Sequence, residues 1–258
     1  MALYMNGVLI PQTSDNAVFN GKDLTHVVFN GVEVWKRSAA PGEEIIDSTK
    51  DFIVPPNVYS INVCIAGGGG SGGNGFTSGG TYGGSGGGGG SGAVTGTFAV
   101  TPGQVIPVTI GQGGAAAVAN GANGSAGGNS SILSLVSTGG QGGTAWPADP
   151  TGYGQGGAGG SGGGAGGYGT PGFGNSQAGF GFSGCGGTHA GGPGVGSHTC
   201  ADCGVGGGGG AGGFGNGGSG SAGSSVGTVP GLSAGSGGSG EYFYGSHAGG
   251  NGRCIVSW

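Results

Sequence analysis

Five side chains able to hold a metal or form a disulfide fall within residues 185–203: Cys185, His189, His198, Cys200 and Cys203. Thiolate and imidazole are the usual ligands of tetrahedral zinc, and Cys200 and Cys203 carry the C-x2-C spacing found in zinc and iron sites. The second C-x2-C that would complete such a site is missing. Three readings therefore stay open. The cluster holds zinc or iron, it forms a local disulfide after release from a reducing compartment, or its thiols are free. No other cofactor is implied. Cys64 and Cys254 fall on strand-like segments expected near each other and read as small buried residues.

Acid–base chemistry has little to work with. From Phe52 to the last residue the only charged side chains are Asp149, Asp202, Glu241 and Arg253. Residues 154–159 fit the dinucleotide-binding fingerprint and residues 83–87 fit the nucleophile elbow. Both matches are expected by chance in so glycine-rich a chain, and neither has the strand–turn–helix context that gives it meaning. No enzymatic activity is expected.

Aromatic side chains interrupt the glycine at three places. Trp146 and Tyr153 lie in the first, Tyr168, Phe173, Phe180 and Phe182 in the second, and Tyr242, Phe243 and Tyr244 in the third, beside His247. Aromatics displayed on a rigid scaffold offer large contact area with few torsions to freeze. They are the candidate receptor-binding residues. The competing reading is that such rings cap the scaffold or fill gaps in it. Phe214, isolated in glycine, reads that way; strand alternation would bury Phe243 between exposed neighbours.

The scaffold that must position these residues is glycine, 80 of 258 residues. Glycine recurs at every third position from Gly154 to Gly172, and again over Gly80–Gly92 and Gly206–Gly218. A period of three is the pitch of an extended left-handed helix, and glycine is required where its axis is crowded. Collagen is excluded by the 11 prolines and the broken frame. Disorder is disfavoured because charge is nearly absent and aromatics run through the glycine. A polyglycine II helix has no internal hydrogen bonds, so its amides must be satisfied by neighbouring tracts.

Residues 1–40 are a different kind of sequence. VFNG occurs at Val18–Gly21 and Val28–Gly31, and Asn6-Gly7 is a third Asn-Gly pair. Asn-Gly between β-formers signals a two-residue hairpin. This predicts a small β attachment module, followed by a linker at Ala39–Gly42. Beyond it, strands are predicted around Ile45–Ile46, Phe52–Val54, Ser60–Ile65, Ala93–Val100, Val105–Ile110, Ser131–Val136 and Arg253–Trp258. Pairing of Ile61–Ile65 or a neighbour with Cys254–Trp258 would close the two ends of this second domain, residues 43–258. The expected class is all-β with polyglycine II helices: a small attachment module, then a β-sandwich whose connections are packed polyglycine II tracts.

Most of the charged side chains, 11 of 15, lie in the first 51 residues, the net charge is −5, and no basic patch exists, so nucleic acid is a poor partner. The first residues have neither the basic nor the apolar region of an export signal. No stretch is apolar for long enough to span a bilayer, so membrane insertion is not expected.

The run from Asp51 to Gly73, DFIVPPNVYSINVCIAGGGGSGG, resembles the opening of the glycine-rich domain of bacteriophage tail fibre and adhesin proteins. The closing GGNGRCIVSW is similar to that family's terminal strand, and the VFNG repeat resembles a short repeat of phage tail proteins. The resemblance covers most of the chain and is largely compositional. It implies stacked polyglycine II helices with variable loops at the far end that bind a bacterial outer-membrane protein or surface glycan. It also implies attachment of residues 1–40 to other tail-fibre or tail-tip proteins, and location at the virion's tail-fibre tip after assembly in the host cytoplasm. No individual binding residue transfers, because the loops vary most. A purely structural fibre component is the alternative. An ice-binding bundle would want regular tracts with a flat Thr/Ala face, unlike these interrupted ones.

Overall fold

The computed structural model describes residues 3–5, 8–10, 18–19, 22–24, 26–78, 81–83, 85–145, 156–160, 213–214, 235, 237–238 and 246–258. Among them there are strands and no helix.

Three antiparallel hairpins open the chain. They join β1 (Leu3–Met5) to β2 (Val8–Ile10), β3 (Val18–Phe19) to β4 (Lys22–Asp23), and β5 (His26–Phe29) to β6 (Val32–Lys36). An Asn-Gly pair separates the strands in each case. At the third, Asn30 and Gly31 have φ of 49° and 79°, the two positive values a type I′ turn demands.

Two four-stranded antiparallel sheets follow. The strands are β7 (Glu43–Ile46), β8 (Lys50–Ile53), β9 (Ser60–Ala66), β10 (Phe76–Ser78), β11 (Thr81–Gly83), β12 (Ala93–Ala99), β13 (Val105–Thr109), β14 (Ser130–Ile132), β15 (Leu135–Ser137) and β16 (Arg253–Ser257). The first sheet runs β12-β9-β16-β7 and the second β15-β14-β13-β8, while β10 and β11 form a separate hairpin. The expected closure is present: Cys254 is paired with Ile65 and Val256 with Val63, setting the last strand beside β9.

Period-two alternation decides which side chains meet. Ile61, Val63, Ile65, Cys254, Val256 and Ile46 from the first sheet share one buried cluster with Phe52, Ile106, Val108 and Ile132 from the second. The opposite sides mix polar residues with exposed apolar ones, Ile45, Ile53, Val105 and Val136 among them. The ion pairs Arg253–Asp47 and Lys50–Glu44 lie at the rim.

Three segments differ from expectation. Thr81–Gly83, in the every-third-glycine series over Gly80–Gly92, pairs with Phe76–Ser78 as a hairpin instead. Ser131–Val136 is not one strand: Leu133, at φ 51°, turns the chain so that Ile132 pairs with Leu135 across a hairpin. Ala39–Gly42 is not a free linker either. The Gly42 and Trp258 amides each donate to the other's carbonyl at 3.0 Å, and Ala39 packs against the core.

Candidate functional site

Beyond the sheets the chain continues as glycine tracts, and their hydrogen bonds follow one rule. In the tract leaving β9, the donors Gly68, Ser71 and Asn74 reach the carbonyls of Gly128, Ser125 and Ala122. Gly69 and Gly72 reach Gly250 and His247, and Gly70 and Gly73 reach Gly89 and Gly86. The partner thus changes at each residue and returns at every third. The same tract accepts from Gly140 and Gly143 on its Gly68 and Ser71 carbonyls, from Gly114 on Gly69 and from Gly238 on Gly70. Its amides and carbonyls therefore point outward in rotation, into neighbours on all sides. The backbone of a buried segment is satisfied with no ladder of the kind a sheet supplies.

Glycine is needed here for space. A Cβ on Gly70 would fall on the carbonyl of Gln141, one on Gly140 on the Gly89 carbonyl, and one on Gly249 on the Gly69 carbonyl. At Gly157 and Gly160, members of the every-third-residue series, it would fall on Gln141 and Thr138 carbonyls.

Buried serines make the junction between sheets and tracts. The Gly67 amide, one residue past β9, donates to both Ser91 Oγ and Ser137 Oγ, at 2.8 and 2.9 Å. Those hydroxyls lie 3.1 Å apart and donate onward, Ser91 to the Thr138 carbonyl and Ser137 to the Gly92 carbonyl. Ser130 Oγ accepts from the Gly111 amide in the same way. Sequence reasoning missed these residues, since serine in a Gly/Ser tract gives no signal; the clue was a serine beside a strand end.

The far end of the tracts is closed by a second group. Asn74 Nδ2 donates to the Ala119 carbonyl, the Ala145 amide to Asn123 Oδ1, and the Ala117 amide to Ser246 Oγ. Val118, 83% exposed, stands at this end between Ala117 and Ala119. Residues 146–155 connect Ala145 to Gly156, and residues 239–245 connect Gly238 to Ser246.

The chosen aromatics Trp146, Tyr153, Tyr168, Phe173, Phe180, Phe182, Tyr242, Phe243 and Tyr244 lie outside the described residues. So do Cys185, His189, His198, Cys200 and Cys203. Among the described residues no group of three or more His, Cys, Asp or Glu is arranged to hold a metal. Nor is there, among them, a helix long and apolar enough to cross a membrane. Phe214 is half-buried with the Arg253 guanidinium 5.9 Å from its ring centre.

The two strand cysteines behave differently. Cys254 is a free thiol, wholly buried, and burial pushes its pKa up to about 12. Cys64 is disulfide-bonded. It is therefore not merely a small buried residue, and its bond is not to Cys254.

Residues 46–258 match the glycine-rich domain family. The chain belongs to it. No curated protein is a significant match. The matched region of this glycine-rich domain begins at Ile46, the last residue of β7, and ends with the terminal strand, so it takes in the second sheet and all of the first except Glu43–Ile45.

Proposed function

We propose that this glycine-rich domain is a phage tail-fibre adhesin, in which polyglycine II helices carry receptor-binding loops away from a β-sandwich. The observation that carries this reading is where the tracts end. The two segments holding Trp146, Tyr153 and Tyr242–Tyr244 both join the chain at the end sealed by Asn74, Ala117, Asn123, Ala145 and Ser246, opposite the sheets.

The return of each hydrogen-bond partner at every third residue supports a three-residue turn. At a rise of about 3.1 Å per residue, the stretch from Gly67 to Asn74 reaches about 22 Å. A rod of that length, satisfied laterally, holds loops at a fixed distance from the sheets. These two aromatic segments then bind a bacterial outer-membrane protein or surface glycan, and residues 1–40 attach to the rest of the fibre.

Purified protein is incubated with intact bacterial cells, alongside a variant with Trp146, Tyr153, Tyr242 and Tyr244 changed to Ser. Binding by the parent, and its loss in a variant of unchanged circular dichroism, is the expected result. Equal binding by both moves the contact surface elsewhere. Failure of the parent across a panel of hosts leaves a structural fibre component as the better reading.

A further inference from the structure

A glycine that follows an asparagine leaves its backbone nitrogen unhindered, since it carries no Cβ. That nitrogen can attack the asparagine side chain, so an Asn-Gly pair is a latent site of amide loss. Five such pairs lie among the described residues, beginning at Asn30, Asn74, Asn120, Asn123 and Asn251. The reaction needs a glycine amide released from hydrogen bonding and an asparagine side chain free to turn.

The fold withholds one or both at four of them. The Gly124 amide donates to the Gly143 carbonyl and the Gly252 amide to the Gly111 carbonyl, both at 2.8 Å. The asparagines before them are held too: Asn123 Oδ1 accepts from the Ala145 amide and Asn251 Oδ1 from the Gly113 amide. Asn74 is 4% exposed, and its Nδ2 donates to the Ala119 carbonyl. The Gly121 amide, which follows Asn120, donates to the Gly75 carbonyl at 3.2 Å. Asn30-Gly31 is different. Both residues are exposed at the tip of the β5–β6 hairpin, and the Gly31 amide donates to no described residue. Nothing lies within 4 Å of where a Cβ on Gly31 would stand.

We infer that Asn30 is a site of spontaneous deamidation, selected by the fold, and that the isoaspartate it yields unmakes the β5–β6 turn. The Gly31 nitrogen loses its proton to solvent base and attacks Asn30 Cγ. The Cγ–Nδ2 bond breaks, Nδ2 takes up a proton and leaves as ammonia, and a cyclic imide joins the two residues. Water then opens the imide at either carbonyl. One product is aspartate. The other is isoaspartate, whose main chain runs through the side-chain carbon and is longer by one atom. Nothing is oxidised or reduced, and each event adds one negative charge to a chain of net charge −5. The type I′ turn holds Asn30 and Gly31 at positive φ between strands in fixed register, with Phe29 opposite Val32. Loop length sets that register, so an extra backbone atom within the turn breaks it.

The full chain, aged in warm, mildly alkaline buffer and then digested, is mapped by mass spectrometry for amide loss at each pair. Asn30 is expected to convert at least about tenfold faster than Asn74, Asn123 or Asn251, the factor that breaking one good hydrogen bond before attack imposes. In urea, with every pair unfolded, the five rates are expected to converge. Equal rates in the folded protein, or the same ranking in urea, overturn the inference, because the fold is then not what selects the site. Amide hydrogen exchange tests the loss of the turn. Asn30→Gly keeps a pair suited to the type I′ turn and has no side-chain amide to lose. Protection across β5 and β6 is expected to fall in the aged parent in step with isoaspartate, and to persist in the aged variant. Protection that survives conversion in the parent overturns the claim that isoaspartate unmakes the turn.

Discussion

Gly113 lies against Gly249 so closely that a Cβ on the first would occupy the carbonyl oxygen of the second. The contact is between two backbones, each hydrogen-bonded into the tract array, so neither can move aside without breaking bonds elsewhere. The Gly113 amide donates to Asn251 Oδ1 at 2.8 Å, and the Gly249 amide to the Gly114 carbonyl at 3.0 Å.

Gly113→Ala is accordingly expected to cost about 3 kcal/mol, the upper part of the usual range for overpacking. In a protein of this size that lowers the melting temperature by roughly 10 °C. Gly103→Ala is the control: its φ is +77°, but nothing lies within 4 Å of the added carbon. It is expected to cost only about 1–2 kcal/mol, the penalty for placing a side chain at left-handed backbone. Thermal melts of equal depression would show that backbone conformation, not crowding, demands the glycine.

The serine junction predicts non-additivity. The Gly67 amide has two acceptors, so Ser91→Ala or Ser137→Ala alone leaves it one partner. Each single change is expected to cost about 1–3 kcal/mol, Ser91→Ala through the Thr138 carbonyl that it bonds and Ser137→Ala through the Gly92 carbonyl, which keeps the longer 3.4 Å bond from Ser91 Oγ. The double variant also strands the Gly67 amide, and is expected to cost more than the sum. Denaturant unfolding of the four proteins in a cycle measures the excess. Strict additivity would mean that the amide is satisfied by other means.

Burial of Cys254 predicts a loss of stability at alkaline pH. Its thiol ionises at about 9 when unfolded and about 12 when folded, so between those values the unfolded chain releases a proton that the folded chain keeps. The contribution is fully present below pH 9 and falls as pH rises towards 12. At pH 10 the loss is on the order of 1 kcal/mol. Other titrating groups cancel when the parent is compared with Cys254→Ala. The alanine variant is expected to lose less stability between pH 8 and pH 10, and parallel curves would contradict the assignment.

Truncation tests where the second domain begins. A chain starting at Ala39 keeps the Ala39 amide bond to the Asn57 carbonyl and both Gly42–Trp258 bonds. It gives up the Lys36 ammonium that sits 3.2 Å from the centre of the Tyr59 ring, worth about 0.5–1 kcal/mol. Its melting temperature is expected within about 3 °C of the full chain. A chain starting at Glu43 loses the Gly42–Trp258 pair and the Ala39 packing, and is expected to melt measurably lower. Equal melting of the two would return Ala39–Gly42 to the status of a linker.

Local chemistry was legible in the residues themselves. Alternation in Ser60–Ile65, Val105–Ile110 and Arg253–Trp258 marks strands with one buried side, and the structure has β9, β13 and β16 there. Asn-Gly marks the three hairpins because positive φ at two successive residues is a property of those two residues alone. Ser131–Val136 misled because Leu133 adopts positive φ, which no leucine signals. The chosen aromatic and Cys/His residues fall outside the described residues, so the candidate site itself is read from sequence while its mounting is read from structure.

What the sequence determined by itself is most of the inventory: the longer alternating strands, the Asn-Gly turns, and that glycine must recur where backbones crowd. What only the tertiary structure decided is the pairing of tracts. One glycine tract offers the same amides and carbonyls as another, so nothing local tells Gly70 to choose Gly89 over Gly140. The sheets make that choice. Joining β9 to β16 on one side and to β12 on the other fixes where each tract leaves the core, and the serines at Ser91, Ser130 and Ser137 hold those exits in place. Lateral hydrogen bonds then form between whichever tracts the sheets have set side by side, because the amides of one tract find their acceptors in its neighbours.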